Sequence, residues 1–298
     1  MSTIEKALAK QKAKQAQADA NASTVEKAVS VEAQAEKVQE PAPSVGSPKT
    51  PITSKDLRLD INTKSMAERG YLIDTGERKS IKDEFRQIKR KLLNNAFGAG
   101  AKTLNNPNLV MVSSSTPNEG KTFVSINLAL SIALEQDKTV LLIDADVLRP
   151  SVNRELGIST KPGLMEFLLG EKQDISEVLY STSIDNLKII PAGAPHHLSN
   201  ELLASDKMAS FAQELADRYP DRIVIFDSPP LIGVTETQVL ANLMGQAVVV
   251  VEENKTKLAN IQKATEHLNE NLALGLVVNK AIRSHKDMYG YYGYGYGK

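Results

Sequence analysis

The strongest constraint on the fold of this chain is a regular alternation between short β-branched runs and longer helix-forming stretches, from about residue 57 to residue 283. The apolar runs are nearly continuous, which is typical of parallel strands buried on both faces of a sheet. Strands that alternate with helices indicate an α/β fold, with a mainly parallel sheet flanked by helices. The pattern predicts strands at 109–113, 139–143, 187–190, 222–226, 246–251 and 275–279.

The stretches between these runs predict helices at 121–135, 163–169, 198–204, 207–217, 236–243 and 255–272. One more helix is predicted ahead of the first long strand, at 80–93, because its apolar residues recur on one helical face. Those residues are Ile81, Phe85, Ile88 and Leu92.

Both ends of the chain differ in composition from the domain predicted at 57–283. Residues 1–56 are rich in Ala, Lys, Glu and Gln, and the first aromatic residue is Tyr71. Such a segment cannot bury enough apolar surface to offset its ordering entropy, so we predict disorder, with a proline-containing linker at its end. Residues 284–298 end in YGYYGYGYGK, and this density of Gly also predicts a disordered tail.

Composition narrows the functional classes. The chain has no Cys and four His, which excludes disulfides, thiolate metal sites and cysteine nucleophiles. Lys plus Arg and Asp plus Glu are both 36, and this zero net charge argues against nucleic acid as a partner. No apolar run approaches the roughly 20 residues of a membrane span, and the N-terminus lacks a signal-peptide pattern. We therefore expect a cytoplasmic protein.

A phosphate-binding motif follows the first long strand. The sequence LVMVS continues into SSTPNEGKTFVSINLALSIAL, which combines a strand, a small polar loop, Gly-Lys-Thr and a helix. Backbone amides at such a helix start bind phosphates, the Lys reaches the β- and γ-phosphates, and the Thr hydroxyl binds magnesium. The first Gly of the usual P-loop pattern is replaced by Ser115. The candidate ATP contacts in the loop are Pro117, Asn118, Glu119, Gly120, Lys121 and Thr122.

Three carboxylates follow predicted strands. Asp144 and Asp146 end the run VLLIDAD, and Asp227 ends RIVIFD. Ligands of open α/β sheets bind at the carboxyl ends of the strands, and residues at i and i+2 of an extended segment share a face. Three acidic groups beside a triphosphate would repel it without a cation, so the pattern predicts Mg²⁺ as cofactor. The alternative for Asp144 and Asp146 is a simple turn at a strand end.

The motifs STPNEGKT, LLIDADVLRP and IVIFDSPP together resemble Walker A, Walker A′ and Walker B of the bacterial tyrosine kinases, in particular the autokinases of exopolysaccharide chain-length control. The resemblance extends from about residue 80 to residue 298. It implies a P-loop NTPase-type fold, related to chromosome-partitioning and septum-site ATPases. Those relatives carry a signature Lys where this chain has Thr116, a difference that favours the kinase branch.

The resemblance also implies a role for each matching residue. Lys121 and Thr122 would hold the phosphates and magnesium, and Asp144 would accept the proton of a tyrosine hydroxyl. Asp146 and Asp227 would organise the magnesium, partly through water. Many members have Arg at the position of Leu148, whereas here Arg149 comes next.

Further implications concern partners and the adenine. A helical E-x-x-R-x-x-R motif of the family finds its best match in Asp83, Arg86 and Lys89, which implies self-association, with a ring as one form. The alternative is a solvated charged helix face. Asn279 lies where related ATPases place an Asn on the adenine, although Asn is also common at strand ends. The family further implies a separate membrane-bound activator that would recruit this protein to the inner face of the membrane.

The tail itself is a candidate substrate. An acceptor hydroxyl must reach the γ-phosphate in line, which a tyrosine in a Gly-rich tail can do, including in a neighbouring subunit. The candidate autophosphorylation sites are Tyr289, Tyr291, Tyr292, Tyr294 and Tyr296. The resulting prediction is an ATP-dependent protein-tyrosine autokinase. The alternatives are a partitioning-type ATPase that switches between monomer and dimer, a nucleotide-binding regulatory module without turnover, and an aromatic tail that binds carbohydrate or a partner.

Overall fold

The computed structural model describes residues 57–73, 79–218 and 221–282. Within these ranges the strands are β1 Arg58–Leu59, β2 Leu109–Ser114, β3 Thr139–Asp144, β4 Tyr180–Thr182, β5 Leu187–Ile190, β6 Arg222–Asp227, β7 Gln246–Glu252 and β8 Ala273–Asn279. The α-helices are α1 Thr63–Glu68, α2 Lys79–Phe97, α3 Lys121–Ala133, α4 Val152–Leu156, α5 Leu164–Leu169, α6 Ser199–Leu203, α7 Asp206–Arg218, α8 Thr235–Ala241 and α9 Leu258–Thr265. The two segments predicted to be disordered, 1–56 and 284–298, lie outside the described residues, as do the five tail tyrosines.

The strands form one sheet in the order β1-β4-β5-β3-β6-β2-β7-β8. Neighbouring strands are parallel, except for the antiparallel pair of β4 and β5. This arrangement confirms the predicted α/β fold with a mainly parallel sheet flanked by helices. Its centre is the trio β3, β6 and β2, whose carboxyl ends therefore lie side by side.

Two apolar layers cover the sheet, one on each face. Alternate residues of β2 point to opposite layers. Leu109 and Met111 belong to one layer, and Val110 and Val112 belong to the other. Helix α3 belongs to the second layer, where all but one of its residues are buried, because α2 packs against it. The predicted apolar face of α2 is confirmed, since Phe85 and Leu92 are buried in this layer.

Strand β8 departs from the prediction of burial on both faces. Leu274, Leu276 and Val278 alternate along it, and each side chain is between 45% and 58% exposed. Among the described strands, β8 is the last of the sheet and pairs only with β7. A run of apolar residues in the sequence cannot show that a strand lies at the edge of a sheet.

Several short elements were not predicted from the sequence, and one helix was predicted to be longer than it is. Strands β1 and β4 and helices α1 and α4 have six residues or fewer, too few for a period to emerge. The helix predicted at 255–272 covers only Leu258–Thr265. It starts late because Asn254 adopts a left-handed conformation, and a turn follows it, in which the Asn271 amide donates to Oδ1 of Asn269.

No helix among the described residues combines the length and the apolar character needed to cross a lipid bilayer.

Candidate active site

The phosphate-binding loop connects β2 to the buried start of α3. Asn118 and Gly120 adopt left-handed backbone conformations, with φ of 69° and 98°, and α3 begins at Lys121. This path delivers the chain into a helix N-terminus at the carboxyl edge of the sheet, which is the geometry that binds phosphate through backbone amides.

Glu119, a predicted ATP contact, turns its carboxylate into the protein. Its side chain is buried and accepts hydrogen bonds from the Ser115 hydroxyl, from the Thr116 amide at 2.9 Å and from the Thr256 hydroxyl at 2.5 Å. The buried carboxylate thus stabilises the loop from its protein-facing side. Glu119 is not among the residues that line the cavity at this site.

Asn279, at the end of β8, also contacts the loop. Its Nδ2 donates to the Glu119 carbonyl at 2.9 Å, and the neighbouring Lys280 ammonium donates to the Asn118 carbonyl at 2.7 Å. The end of β8 therefore braces the phosphate-binding loop. Contact of Asn279 with adenine stays a prediction.

Two acidic residues occupy matching positions on adjacent central strands. Asp144 of β3 and Asp227 of β6 are register partners, and both side chains are fully buried. Asp227 accepts hydrogen bonds from the Thr122 hydroxyl at 2.7 Å and from the Ser125 hydroxyl at 3.0 Å. Burial is the main cause that raises the pKa of both carboxyls, and for Asp144 the neighbouring Asp227 charge raises the pKa further.

Backbone amides surround Asp144. Its Oδ1 accepts from the Asp146 amide at 3.2 Å, and its Oδ2 accepts from the amides of Ser151 and Val152 at 3.2 and 3.1 Å. Val152 is the first residue of α4, so the start of that helix is bonded directly to the acidic tip of β3.

Lys121 and Asp146 form a nearly buried ion pair, with 2.5 Å between Nζ and Oδ2. Burial lowers the pKa of the Lys121 ammonium, but the surrounding carboxylates, chiefly Asp227 and then Asp146, outweigh that effect and raise its pKa above the usual value. The Lys121 side chain is therefore a cation near neutral pH. It provides the positive charge that a polyphosphate requires.

A cavity of about 820 Å³ opens above these groups. Of the predicted residues, those that line it are Pro117, Asn118, Gly120, Lys121, Thr122 and Asp146. Leu148 and Arg149 also line it, so the shift of the Arg by one position still leaves a guanidinium at the cavity. Asp144 and Asp227 lie directly beneath the lining rather than in it.

Several residues at the site were missed. Ser125 and Ser151 bond to Asp227 and Thr122, and Arg69, Tyr71, Arg154 and Glu155 line the cavity. Ser125 could have been predicted from the sequence, because it lies one helical turn after Lys121 and therefore shares its helix face. The segment that carries Arg69 and Tyr71 offered no such signal, since it is far in the sequence from every nucleotide-binding motif.

The three residues matched to E-x-x-R-x-x-R lie on α2 and differ in surroundings. Asp83 and Arg86 form an exposed pair at 2.9 Å. Lys89 is only 7% exposed and is engaged within the chain, by the Ser131 carbonyl at 2.8 Å and by the Glu135 carboxylate at 2.6 Å. The role of these residues in self-association stays a prediction.

The fold and the phosphate-binding site define a nucleotide-binding P-loop protein. The family model described as an AAA domain matches residues 110–274, more than half of the chain. Among curated proteins, the chain is 34% identical over 186 residues to the tyrosine-protein kinase YwqD of Bacillus subtilis (strain 168), which covers 62% of this chain and 77% of that protein. Within the P-loop class, the chain therefore belongs to the bacterial tyrosine-protein kinases and is an enzyme.

Two further relatives extend this comparison. The tyrosine-protein kinase wzc of Salmonella typhimurium (strain LT2) is 30% identical over 194 residues, which are 63% of this chain but only 26% of that protein. In three dimensions, the kinase domain of the Escherichia coli tyrosine kinase ETK aligns with a TM-score of 0.55 and 26% identity, over 72% of this chain and 80% of that domain. The chain thus spans most of some relatives and about a quarter of others.

Proposed function

We propose that this kinase uses ATP and Mg²⁺ to phosphorylate its own C-terminal tyrosines, in trans between copies. The observation that carries the proposal is the convergence, at one edge of the sheet, of the phosphate-binding loop, the Lys121 ammonium and the paired acids Asp144 and Asp227. Phosphoryl transfer depends mainly on positioning and on stabilising charge, and these groups provide both.

In the proposed reaction, an acceptor tyrosine oxygen attacks the γ-phosphorus of ATP. The bond from that phosphorus to the β,γ-bridging oxygen breaks and ADP leaves, while the hydroxyl proton passes to the Asp144 carboxylate. The position of Asp144 at the carboxyl end of β3, directly beneath the cavity lining and beside Asp227, supports its role as proton acceptor. Lys121 and the loop amides would hold the transferring phosphoryl group as its charge is redistributed.

The residues at the site fit a magnesium ion. The Thr122 hydroxyl meets Asp227, and Asp146 faces the cavity, so all three donors are hard oxygens of the kind that Mg²⁺ prefers. Among the described residues no cluster of three or more His, Asp or Glu forms an all-protein metal site, and magnesium in nucleotide sites is bound by one or two carboxylates plus phosphates. When bound, the ion would neutralise charge on the β- and γ-phosphates.

Incubation with radiolabelled ATP and Mg²⁺ tests the activity. We expect phosphotyrosine at residues 289–296 and its loss in Lys121→Met, because the charge-assisted phosphate contact disappears and activity falls by about two orders of magnitude or more. The control is Lys102→Met, an exposed lysine that does not line the cavity. Labelling that persists in Lys121→Met would contradict the proposal, and ATP hydrolysis without phosphotyrosine would favour a partitioning-type ATPase.

Transfer in trans has its own experiment. An active chain that lacks residues 289–298 is mixed with full-length Lys121→Met, so the catalytic site and the acceptor tyrosines reside on different molecules. We expect label on the Lys121→Met chain. Its absence, with normal labelling of wild-type protein, would assign the reaction to a single chain.

We further propose that the kinase regulates exopolysaccharide synthesis or chain length, together with a separate membrane-bound activator that recruits it to the inner face of the membrane. The combined motifs and the membership in the bacterial tyrosine kinases support this proposal. Replacement of the gene by its Lys121→Met form should change the length distribution of the secreted polysaccharide on gels. An unchanged distribution would contradict it.

A further inference from the structure

One wall of the cavity comes from a segment outside the nucleotide-binding motifs. Arg69 and Tyr71, which follow α1, both line the cavity. The segment is fixed to α3, since the Tyr71 ring packs on Phe123 with centroids 5.3 Å apart, and the Leu72 amide donates to Oδ1 of Asn127 at 2.8 Å. It therefore moves with the helix that begins at Lys121.

Both side chains converge on Glu155. The Tyr71 hydroxyl donates to Oε2 of Glu155 at 2.9 Å, and the Arg69 guanidinium contacts the same oxygen at 3.3 Å. A second nitrogen of Arg69 donates to the Glu155 carbonyl at 2.6 Å, so the contact holds the helix backbone as well as the side chain. Burial and the Glu155 charge raise the pKa of Tyr71, which keeps its hydroxyl a donor.

Glu155 lies on α4, a five-residue helix whose other end reaches the acidic centre. The amides of Ser151 and Val152 donate to Asp144 at 3.2 and 3.1 Å, and the Ser151 hydroxyl is 2.7 Å from the Thr122 hydroxyl. Since α4 is hardly more than one turn long, a displacement of Glu155 shifts these donors with it. The Arg69–Tyr71 segment thus connects to Asp144 and Thr122 through one short rigid element.

We infer that Arg69 and Tyr71 are positioning residues of the kinase, which act through Glu155 and α4 to hold Asp144 and Thr122 in place. The inference rests on the proposed function for the role of Asp144. It assigns part of the active-site geometry to residues that lie about 50 positions before the phosphate-binding loop. A displaced reacting group costs rate rather than ground-state affinity, so the signature is a change in kcat with little change in KM for ATP.

The test compares Tyr71→Phe with Tyr180→Phe in the full chain. Both tyrosines are 4% exposed, and both changes remove only a hydroxyl, but Tyr180 lies on β4 and not at the cavity. We expect Tyr71→Phe to lower kcat about tenfold with KM for ATP within about twofold, and Tyr180→Phe to change neither. Glu155→Gln, which still offers an oxygen to Tyr71, should retain more activity than Glu155→Ala. An unchanged kcat in Tyr71→Phe, or an equal loss in Tyr180→Phe, would overturn the inference.

Hydrogen exchange provides a readout that does not depend on catalysis. Peptides that contain the amides of Ser151 and Val152 should exchange faster in Tyr71→Phe than in wild type or Tyr180→Phe, because their bonds to Asp144 are no longer held. If wild-type protein transfers no phosphate, the proposed function fails, and this exchange comparison still decides the inference. Equal exchange in all three proteins would overturn it.

Discussion

At the scale of single residues, Gly120 joins the backbone geometry of the phosphate-binding loop to its contact with β8. Its φ is 98°, and a Cβ at this position would lie 2.0 Å from Nδ2 of Asn279, the atom that donates to the Glu119 carbonyl. Any side chain here therefore meets two obstacles, an unfavourable backbone region and a clash with the group that braces the loop.

The expected effect of Gly120→Ala is a loss of nucleotide affinity together with a destabilisation greater than the roughly 1 kcal/mol of backbone strain alone. Gly157→Ala is the matched control, because Gly157 also has a positive φ, of 69°, but open space where the Cβ would go. Calorimetric titration with Mg-ATP and urea unfolding measure the two quantities. Wild-type affinity in Gly120→Ala would show that Asn279 and the loop tolerate the displacement.

At the scale of elements, the charged residues of α2 make two kinds of contact: a buried contact with a neighbouring helix and an exposed ion pair. The buried Lys89 donates to the carbonyl of Ser131, in the last turn of α3, where helix carbonyls have no intrahelical partner. Arg86 pairs with Asp83 on the exposed side. One residue of the proposed association motif therefore holds two helices of the same chain together, while the other two face outward.

We expect Lys89→Met to lower the free energy of unfolding by about 1–3 kcal/mol, because a buried carbonyl loses its donor and Glu135 loses its partner. Arg86→Ala should change it by less than about 0.5 kcal/mol and should instead weaken self-association. Denaturant unfolding and sedimentation velocity separate the two effects. If Arg86→Ala lowers the free energy of unfolding as much as Lys89→Met does, or if its sedimentation equals that of wild type, Arg86 does not belong to the proposed association motif.

At the scale of the whole molecule, the site combines the central strands with one edge of the sheet and with the segment that follows α1. The loop after β2 is braced by Thr256 beyond β7 and by Asn279 of β8, while α4 is held from the segment before α2. A ligand in the cavity contacts groups that come together only in the folded state, so its binding free energy stabilises the entire domain.

Mg-ATP at 100 times its dissociation constant should add about 2.7 kcal/mol and raise Tm by roughly 5–10 °C. Chelation of the metal should reduce the shift, since the phosphates then face Asp146 and Asp227 without a neutralising cation. The Lys121→Met substitution should abolish most of the rise in Tm. Thermal unfolding followed over a series of nucleotide concentrations provides the measurement, and a concentration-independent Tm would contradict nucleotide binding at this site.

The amino-acid sequence by itself determined most of the longer elements and the residue types that meet at the candidate site. The strands of the central sheet, the start of α3 and the acidic residues at the carboxyl ends of β3 and β6 all follow from patterns within a few neighbouring positions, where period and residue type are set locally. Only the tertiary structure decided the order of the strands, the pairing of Asp144 with Asp227, the exposure of β8 and the contact of Tyr71 with Glu155. These features depend on contacts between residues that are far apart in the chain. Burial and packing in the folded state select such contacts, and no local sequence pattern encodes them.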